Sequence, residues 1–216
     1  MCPAARLAAV FVLLAVSSAL AQPKPEPEYQ GKKGSVWVET LLNDSSSRQR
    51  ALAAIALGKL WAEHRYEPAL PTLGRAIRVD ASPAVRVQAL SVVAGMDPLD
   101  VKKKVGDDKR SLADDLVQAL ESEKEPRVRR ELAVTVGLFS DVARRGVDPL
   151  IGYLKDADPA TRAAAATALG RIGSPAKEAV ADLLPLLKDP ETAVRRSAAF
   201  ALGRVSVEDS AAASAL

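Results

Sequence analysis

Five acidic residues, each followed six positions later by an arginine, are the side chains whose types and spacing could do chemistry in this sequence. A carboxylate close to a guanidinium can form a charge-assisted hydrogen-bonded pair, and the same arginines could instead bind five anions. The ten residues are Asp44 and Arg50, Asp80 and Arg86, Glu123 and Arg129, Asp156 and Arg162, and Asp189 and Arg195. A stacking role requires repetition in every unit, so we interpret these pairs as structural.

Residue types that support catalysis or metal binding are scarce in the rest of the chain. There is one histidine, His64, and one cysteine, Cys2, so a zinc site with histidine or cysteine ligands is excluded. Two pairs of adjacent carboxylates, Asp107–Asp108 and Asp114–Asp115, stand in charged sequence, where we expect them to be wet and poorly suited to acid–base catalysis. The glycines occur singly, so no phosphate-binding loop is formed. We expect no enzymatic activity, no metal and no cofactor.

The acid–arginine pair lies inside a longer repeated unit. The arginines are 36, 43, 33 and 33 residues apart, which is the range of helical repeat proteins. A glycine follows each arginine by eight residues, except that the second copy has Ala94 there and Gly95 next. Small residues recur between arginine and glycine at helical spacing, and a leucine-rich amphipathic segment precedes each acid. Each unit therefore predicts two antiparallel helices that cannot bury their apolar faces alone and must stack.

Particular residues predict where these helices begin and bend. Three copies carry a proline three residues before the arginine, a position where a missing N–H costs little in the first helical turn. These prolines are Pro83, Pro126 and Pro159. Ser82 and Asp158 directly precede two of them and are predicted N-caps. Pro185 lies within the leucine-rich helix of the fifth unit and predicts a kink there.

The unit resembles a HEAT repeat of the short variety similar to those of phycobilisome-lyase-like proteins. The resemblance covers about residues 35–205 and is strongest over 147–204, while the signatures of ankyrin and tetratricopeptide repeats are absent. It implies an all-α fold: a right-handed α-solenoid of about five helical hairpins, whose second helices line the concave side. It also implies that the acids and arginines form a hydrogen-bonded ladder between successive repeats. We call the ten residues named above the ladder.

The N-terminal residues differ in composition from the repeats. Residues 1–21 combine Arg6, an apolar run from Leu7 to Val16 and a final Ala-Leu-Ala, which is the layout of a secretory signal peptide. Cleavage after Ala21 would deliver the protein to the periplasm or the extracellular space, and retention as a membrane anchor is the minority alternative. Residues 22–34 alternate proline with charge and are predicted to be a disordered linker.

The C-terminal residues 206–216 follow the last glycine of the repeat pattern. Ser206 could cap a new helix with acidic residues in its first turn. The segment is therefore predicted to be either a partial sixth repeat or a C-terminal tail.

The charge of the chain is nearly balanced. It carries 30 Lys and Arg against 27 Asp and Glu, for a net charge of +3. Removing residues 1–21 removes one arginine and leaves 29 − 27 = +2. This small excess makes an electrostatic nucleic-acid binder unlikely. Membrane contact is expected only if the N-terminal segment is uncleaved.

Function is expected from the outward positions of the second helices, which the repeat pattern leaves free. We call these positions the second-helix row: Ala51, Leu52, Ile55, Val87, Gln88, Ser91, Arg130, Glu131, Val134, Ala163, Ala164, Thr167, Arg196, Ser197 and Phe200. Their mix of apolar residues and a few charges is typical of a protein-binding groove. The candidate partner-binding residues are Gln88, Arg130, Glu131, Arg196, Phe200 and Arg204. Packing of Phe200 against a sixth repeat explains the last patch equally well.

The sequence therefore predicts an exported, non-catalytic scaffold that binds a protein or peptide of unknown identity through its concave face. One alternative is a lyase-related or chaperone-like accessory subunit for chromophore attachment, against which stand the export signal and the lack of a candidate thiol. A second alternative is a nucleic-acid-binding HEAT protein. It would need a basic, aromatic-lined groove, which this sequence does not supply.

Overall fold

The computed structural model describes residues 25–98, 101, 112–139 and 144–205. Within these ranges a short β-hairpin precedes ten α-helices. The elements are β1 (Glu28–Tyr29), β2 (Lys32–Lys33), α1 (Gly34–Asn43), α2 (Ser47–His64), α3 (Ala69–Val79), α4 (Pro83–Ala94), α5 (Leu112–Ser122), α6 (Pro126–Val136), α7 (Val147–Tyr153), α8 (Pro159–Ile172), α9 (Val180–Leu183) and α10 (Thr192–Val205). Two 3₁₀ segments, Ser174–Ala179 and Leu184–Lys188, flank α9.

The helices form five consecutive hairpins in two layers. The odd-numbered helices α1 to α9, the last with its 3₁₀ flanks, are the first helices, and the even-numbered helices α2 to α10 are the second helices. Each second helix packs on its own first helix and on the second helix of the next hairpin, and the first helices make a parallel layer. Each hairpin thus buries its apolar side against the next. The predicted fold class, an all-α solenoid, is confirmed.

The core runs continuously between the two layers. Leucines from successive hairpins fill it, including Leu57, Leu73, Leu90, Leu132 and Leu169, all 0% exposed. Burying a leucine side chain contributes about 1.5–3 kcal/mol before the entropy cost of ordering the chain. The second helices approach one another closely where small residues meet, because a Cβ at Gly137 would lie 2.9 Å from the Cα of Ala168 and one at Gly170 would lie 2.8 Å from the Cα of Ala201.

Helix starts follow the predicted prolines, and one of the two predicted caps forms. The helices α4, α6 and α8 begin with Pro at N1. The carboxylate of Asp158 accepts a hydrogen bond from Thr161 N at 3.0 Å, and the bond from the Thr161 hydroxyl lowers the pKa of Asp158 below its usual range. Ser82 occupies the equivalent position but makes no cap hydrogen bond. Instead its backbone N–H donates to Asp80 Oδ1 at 2.8 Å, so the ladder acid orders that turn.

The first helix of the fifth hairpin is broken, as Pro185 predicted. Residues 174–188 form two 3₁₀ segments around the single turn of α9, and each 3₁₀ segment has a proline near its start. Proline lacks the N–H needed for the backbone hydrogen bond to the preceding turn of a helix and its ring clashes with that turn, which explains the break.

The N-terminal β-hairpin corrects the predicted disordered linker over residues 22–34. Tyr29 pairs with Lys32 in an antiparallel register, and the two connecting residues Gln30 and Gly31 have φ values of 50° and 70°. Positive φ at both positions is the geometry of a tight two-residue hairpin turn. Folded structure therefore includes residues 25–33.

The hairpin folds because the first repeat supplies partners for it. Trp37 Nε1 donates to the backbone oxygen of Tyr29 at 3.0 Å, and the two rings lie 6.5 Å apart between centroids. The carboxylate of Glu26 accepts from Ser35 Oγ at 2.9 Å and from the hydroxyl of Tyr66 at 3.0 Å. Burial, helped by Glu26, raises the pKa of Tyr66 to about 12. These contacts outweigh the proline-rich, charged composition that indicated a solvated linker.

Four sequence predictions fall outside the described residues. They are the signal peptide at 1–21, residues 22–24 of the linker, the wet carboxylate pair Asp107–Asp108, and the partial repeat or tail at 206–216.

Candidate functional site

The ladder is clearest between the fourth and fifth hairpins. Arg162 donates from Nε and Nη2 to the two carboxylate oxygens of Asp189, at 2.9 and 3.0 Å. Its Nη1 donates to the backbone oxygen of Asp156, six residues earlier, at 2.9 Å. Asp189 also accepts from Glu191 N at 2.9 Å, which orders its own turn. One arginine thus ties the turn of its own hairpin to the turn of the next.

The same contacts recur along the solenoid. Arg50 binds Asp80 through two hydrogen bonds of 2.7 and 2.9 Å, and Arg86 binds Glu123 through two of 2.8 and 3.0 Å. Arg129 differs. It donates one hydrogen bond of 2.6 Å from Nη1 to Asp156, while its Nε turns to the backbone oxygen of Glu123 and its guanidinium carbon lies 5.6 Å from the ring centroid of Tyr153.

The paired acids are shielded from water, and hydrogen bonds stabilise their ionised forms. Side-chain exposure of the four paired acids is only 4–8%. The side-chain hydrogen bond from Arg162 holds the pKa of Asp189 below its usual value. For Glu123, burial raises the pKa, but hydrogen bonds from Arg86 and two backbone amides outweigh it and leave the pKa lowered. Both oxygens of each paired carboxylate accept hydrogen bonds within the protein, as expected of acids with a structural role.

The ladder ends differently at its two termini. Asp44 Oδ1 accepts from Ser46 N at 2.8 Å, and the Asp44 backbone oxygen accepts from Arg50 at 2.8 Å. Arg195 donates to the backbone oxygens of Asp189 and Pro190 and to the hydroxyl of Thr192, at 2.7–2.8 Å. Among the described residues no carboxylate of a following turn reaches Arg195.

A further ion pair, which the sequence did not reveal, links the first helices. Asp115 was expected to be wet, but it is 2% exposed and accepts from Arg78 Nε at 2.8 Å across the α3–α5 contact. Gly74 makes room for it, since a Cβ there would lie 2.6 Å from Asp115 Oδ2. Asp114 is half-buried and pairs with Arg145 at 2.6 Å. The expectation was wrong because Arg78 is 37 residues from Asp115 and only stacking brings them together.

The second-helix row is open in the structure. Every residue of the row except Ala164 is at least partly exposed. Gln88 is half-buried on α4, and Arg130 and Glu131 form a partly exposed pair on α6 with a nitrogen–oxygen distance of 3.6 Å. Adjacent second helices are joined within the row by a 3.0 Å hydrogen bond from the Thr167 hydroxyl to that of Ser197.

The remaining candidates lie together on α10. Arg196 and Arg204 are exposed, and the side chain of Phe200 between them is 44% exposed. Arg204 Nε donates to the backbone oxygen of Gly170 on α8 at 3.2 Å. A Cβ at Gly170 would lie 2.7 Å from Phe200 Cε1, so the ring rests against that glycine.

Comparison with known proteins agrees with the repeated contacts. Residues 113–202 match the family model of HEAT repeats. Over these residues the chain consists of HEAT repeats. No curated protein matches the chain.

Solved structures share the fold of this HEAT-repeat protein. An engineered protein is 20% identical with a TM-score of 0.65, covering 84% of this chain and 83% of its own. A designed armadillo repeat protein in complex with the peptide (KR)4 is 20% identical with a TM-score of 0.63, covering 84% and 85%. The complex of CpcE and CpcF of phycocyanin lyase from Nostoc sp. PCC7120 is 20% identical with a TM-score of 0.51, covering 78% and 96%. At this level of identity the likeness shows the fold.

The HEAT-repeat protein also has a cavity of about 460 Å³ between the C-terminal halves of α2 and α4. Its lining includes Ile55 and Ser91 of the second-helix row, together with Trp61, Val92 and Met96. Trp61 is 2% exposed, and its Nε1 has no hydrogen-bond partner in the described part of the chain. The sequence did not predict this cavity.

Two features that the described residues lack bear on other kinds of site. No helix in these ranges is long and apolar enough to span a membrane. The same ranges contain no cluster of three or more His, Cys, Asp or Glu side chains that could hold a metal ion. His64 is an exposed residue at the end of α2, 3.9 Å from the carboxylate of Glu63.

Proposed function

We propose that this HEAT-repeat protein is an exported, non-catalytic scaffold that binds a protein or peptide through the second-helix row. The observation that carries the proposal is a contrast between two surfaces. The four paired ladder carboxylates are only 4–8% exposed and accept hydrogen bonds at both oxygens, whereas every second helix carries row residues that are partly or fully exposed. Leu52 and Phe200, near the two ends of the row, are 45% and 44% exposed. Partly exposed apolar side chains within a polar row are suitable anchors for a partner.

The designed armadillo protein supports the kind of partner. It has a similar fold and was solved with a bound peptide. A row of parallel second helices presents side chains at a regular spacing, which suits an extended chain or a partner helix. We therefore propose a peptide or protein segment as the kind of ligand for this protein, without assigning the ligand's sequence.

Export is supported by the first 21 residues alone. Their single arginine, apolar run and final Ala-Leu-Ala match a cleavable signal peptide. Expression of the full chain in a secretion-competent bacterium should give an exported product. N-terminal sequencing should then show a first residue of Gln22. A product that keeps residues 1–21 in the membrane fraction would support the anchor instead.

Selection of peptides from a random display library tests the binding surface. Selected peptides should bind the purified protein, and binding should weaken about tenfold or more in Leu52→Asp or Phe200→Asp variants, since a buried carboxylate at an anchor is costly. The matched control is Val79→Asp on α3, where the valine is 54% exposed outside the row. The proposal fails if no peptide is selected, or if Val79→Asp weakens binding as much as the row variants.

A further inference from the structure

The last two second helices, α8 and α10, differ in charge from the rest of the row. Neither helix contains an aspartate or glutamate, and together they carry five arginines. By comparison, α2 and α6 each combine basic residues with a glutamate, and α4, which also lacks acidic residues, carries only the ladder arginine Arg86. The C-terminal end of the solenoid therefore presents positive charge on its second helices without internal compensation.

Two of the five arginines are committed to the ladder. Arg162 binds Asp189 through two hydrogen bonds, and Arg195 donates to backbone oxygens and Thr192. The other three, Arg171, Arg196 and Arg204, are exposed, and no carboxylate pairs with them in the part of the chain that the structure describes. Their charge is therefore available to a partner.

Two of these arginines flank an exposed apolar side chain on α10, and the third lies beside the glycine on which that side chain rests. Arg196, Phe200 and Arg204 follow one another at four-residue intervals, which places them on one face of α10 about 6 Å apart. Arg204 Nε reaches the backbone oxygen of Gly170, and the Phe200 ring rests on the same glycine. Arg171 directly follows Gly170 in the sequence. Gly170 is thus the centre of a patch that crosses the α8–α10 contact. We call Arg171, Arg196, Phe200 and Arg204 the arginine patch.

We propose that the arginine patch binds an acidic peptide segment of a partner protein that carries an apolar side chain. The inference rests on the proposed function and gives it a ligand class. Acidic side chains would accept charge-assisted hydrogen bonds from the guanidinium groups, while an apolar side chain would cover the exposed part of Phe200. A basic peptide such as (KR)4 meets only like charge here and is rejected.

The extent of the patch favours a peptide over a nucleic acid. The positive charge covers two helices whose axes lie about 8–10 Å apart, which is enough for a few side chains. Going back along the row, Arg130 is paired with Glu131, and α4 contributes the neutral Gln88 and Ser91. A phosphate backbone would need basic residues that continue along the surface. The patch also lacks a second aromatic residue for base stacking.

Four labelled probes test the proposal by fluorescence polarisation with the purified full chain. They are an acidic peptide of alternating Asp and Glu with one central Leu, the same peptide with Gly in place of Leu, (KR)4, and a single-stranded thymidine oligonucleotide of matched charge. The leucine peptide should bind best, the glycine peptide more weakly and (KR)4 not at all. Added salt should weaken binding of the leucine peptide only partly, because salt screens the charge contacts but not the apolar contact with Phe200.

Variants assign the binding to the patch. The double variant Arg196→Glu, Arg204→Glu should weaken the leucine peptide about tenfold or more, which corresponds to losing roughly one charge-assisted hydrogen bond. Phe200→Ala should remove the difference between the leucine and glycine peptides. The matched control is Arg75→Glu, an exposed arginine on the first helix α3. Circular dichroism and thermal melting check that each variant is folded.

The outcomes separate this proposal from the proposed function. Unchanged binding in the double variant, no binding of the acidic peptides, or tighter binding of the oligonucleotide with a steep salt dependence would each overturn it. If library peptides bind through the row but are not acidic, the scaffold proposal stands and the acidic ligand class is wrong. If no peptide of any charge depends on the row, the proposed function is wrong as well.

Discussion

Arg162 and Asp189 form two parallel hydrogen bonds of 2.9 and 3.0 Å across the junction of the last two hairpins. Their side chains are 14% and 6% exposed, so the pair is largely shielded from water. The same arginine holds the turn of its own hairpin through the backbone oxygen of Asp156. The pair therefore couples the position of one turn to the next, which keeps the second helices parallel.

Replacing Arg162 with Gln should destabilise the protein. The change leaves the largely buried Asp189 carboxylate without its cation, for which we expect a cost of about 3 kcal/mol in the free energy of unfolding. Urea denaturation followed by circular dichroism measures it. The control is Arg196→Gln, an exposed arginine on α10, which should stay within about 0.5 kcal/mol. A cost for Arg162→Gln as small as for the control would contradict a structural role of the ladder.

The ladder should also make the protein sensitive to acid. The pKa values of Asp189 and Glu123 lie below their ordinary values of 3.8 and 4.5 in the folded state. The unfolded chain then binds protons more readily, so this stabilisation is complete above about pH 4.5 and is lost as the pH falls through the lowered folded-state values. Thermal melting between pH 7 and pH 2.5 should show this fall. Arg162→Gln should make the pH dependence shallower, whereas an unchanged slope would speak against the pair as its source.

Two glycines at the same repeat position should respond in opposite ways to alanine. At Gly170 a Cβ would lie 2.8 Å from the Cα of Ala201, so the backbone of α10 must move, which we expect to cost about 1–3 kcal/mol. At Gly203 a Cβ would meet nothing within 4 Å among the described residues, and alanine should stabilise α10 by roughly 0.5–1 kcal/mol. Melting temperatures of the two variants test this. Equal shifts would show that the α8–α10 contact is looser than the structure indicates.

The turn of the β-hairpin should be sensitive at Gly31. Its φ of 70° is disfavoured for a β-branched residue, so Gly31→Val should cost about 1–2 kcal/mol and open the hairpin. Limited proteolysis, followed by mass spectrometry, should then show faster cleavage near residue 31 than in the parent protein. Gln30→Asn is the contrasting variant, since asparagine tolerates positive φ and should leave cleavage unchanged or slower. Cleavage that is already fast in the parent would argue for the disordered linker.

The sequence by itself determined the repeat and its register. The acid, the arginine six residues later and the glycine beyond it are short-range patterns, as are the prolines that begin α4, α6 and α8. Such patterns can be read along the chain because helix geometry fixes which side chains share a face. The outward positions of the second helices followed from the same spacing, and the structure leaves all of them except Ala164 at least partly exposed.

Tertiary structure alone decided the contacts between residues that are distant in sequence. The N-terminal β-hairpin folds because Trp37 and Tyr66 lie where Tyr29 and Glu26 can hydrogen-bond to them. Likewise, Asp115 is buried only because stacking brings Arg78 beside it. The arginine patch and the cavity beside Trp61 each lie between neighbouring second helices. Composition along the chain does not carry this information, because the side chains that neutralise, cover or expose a residue come from another repeat.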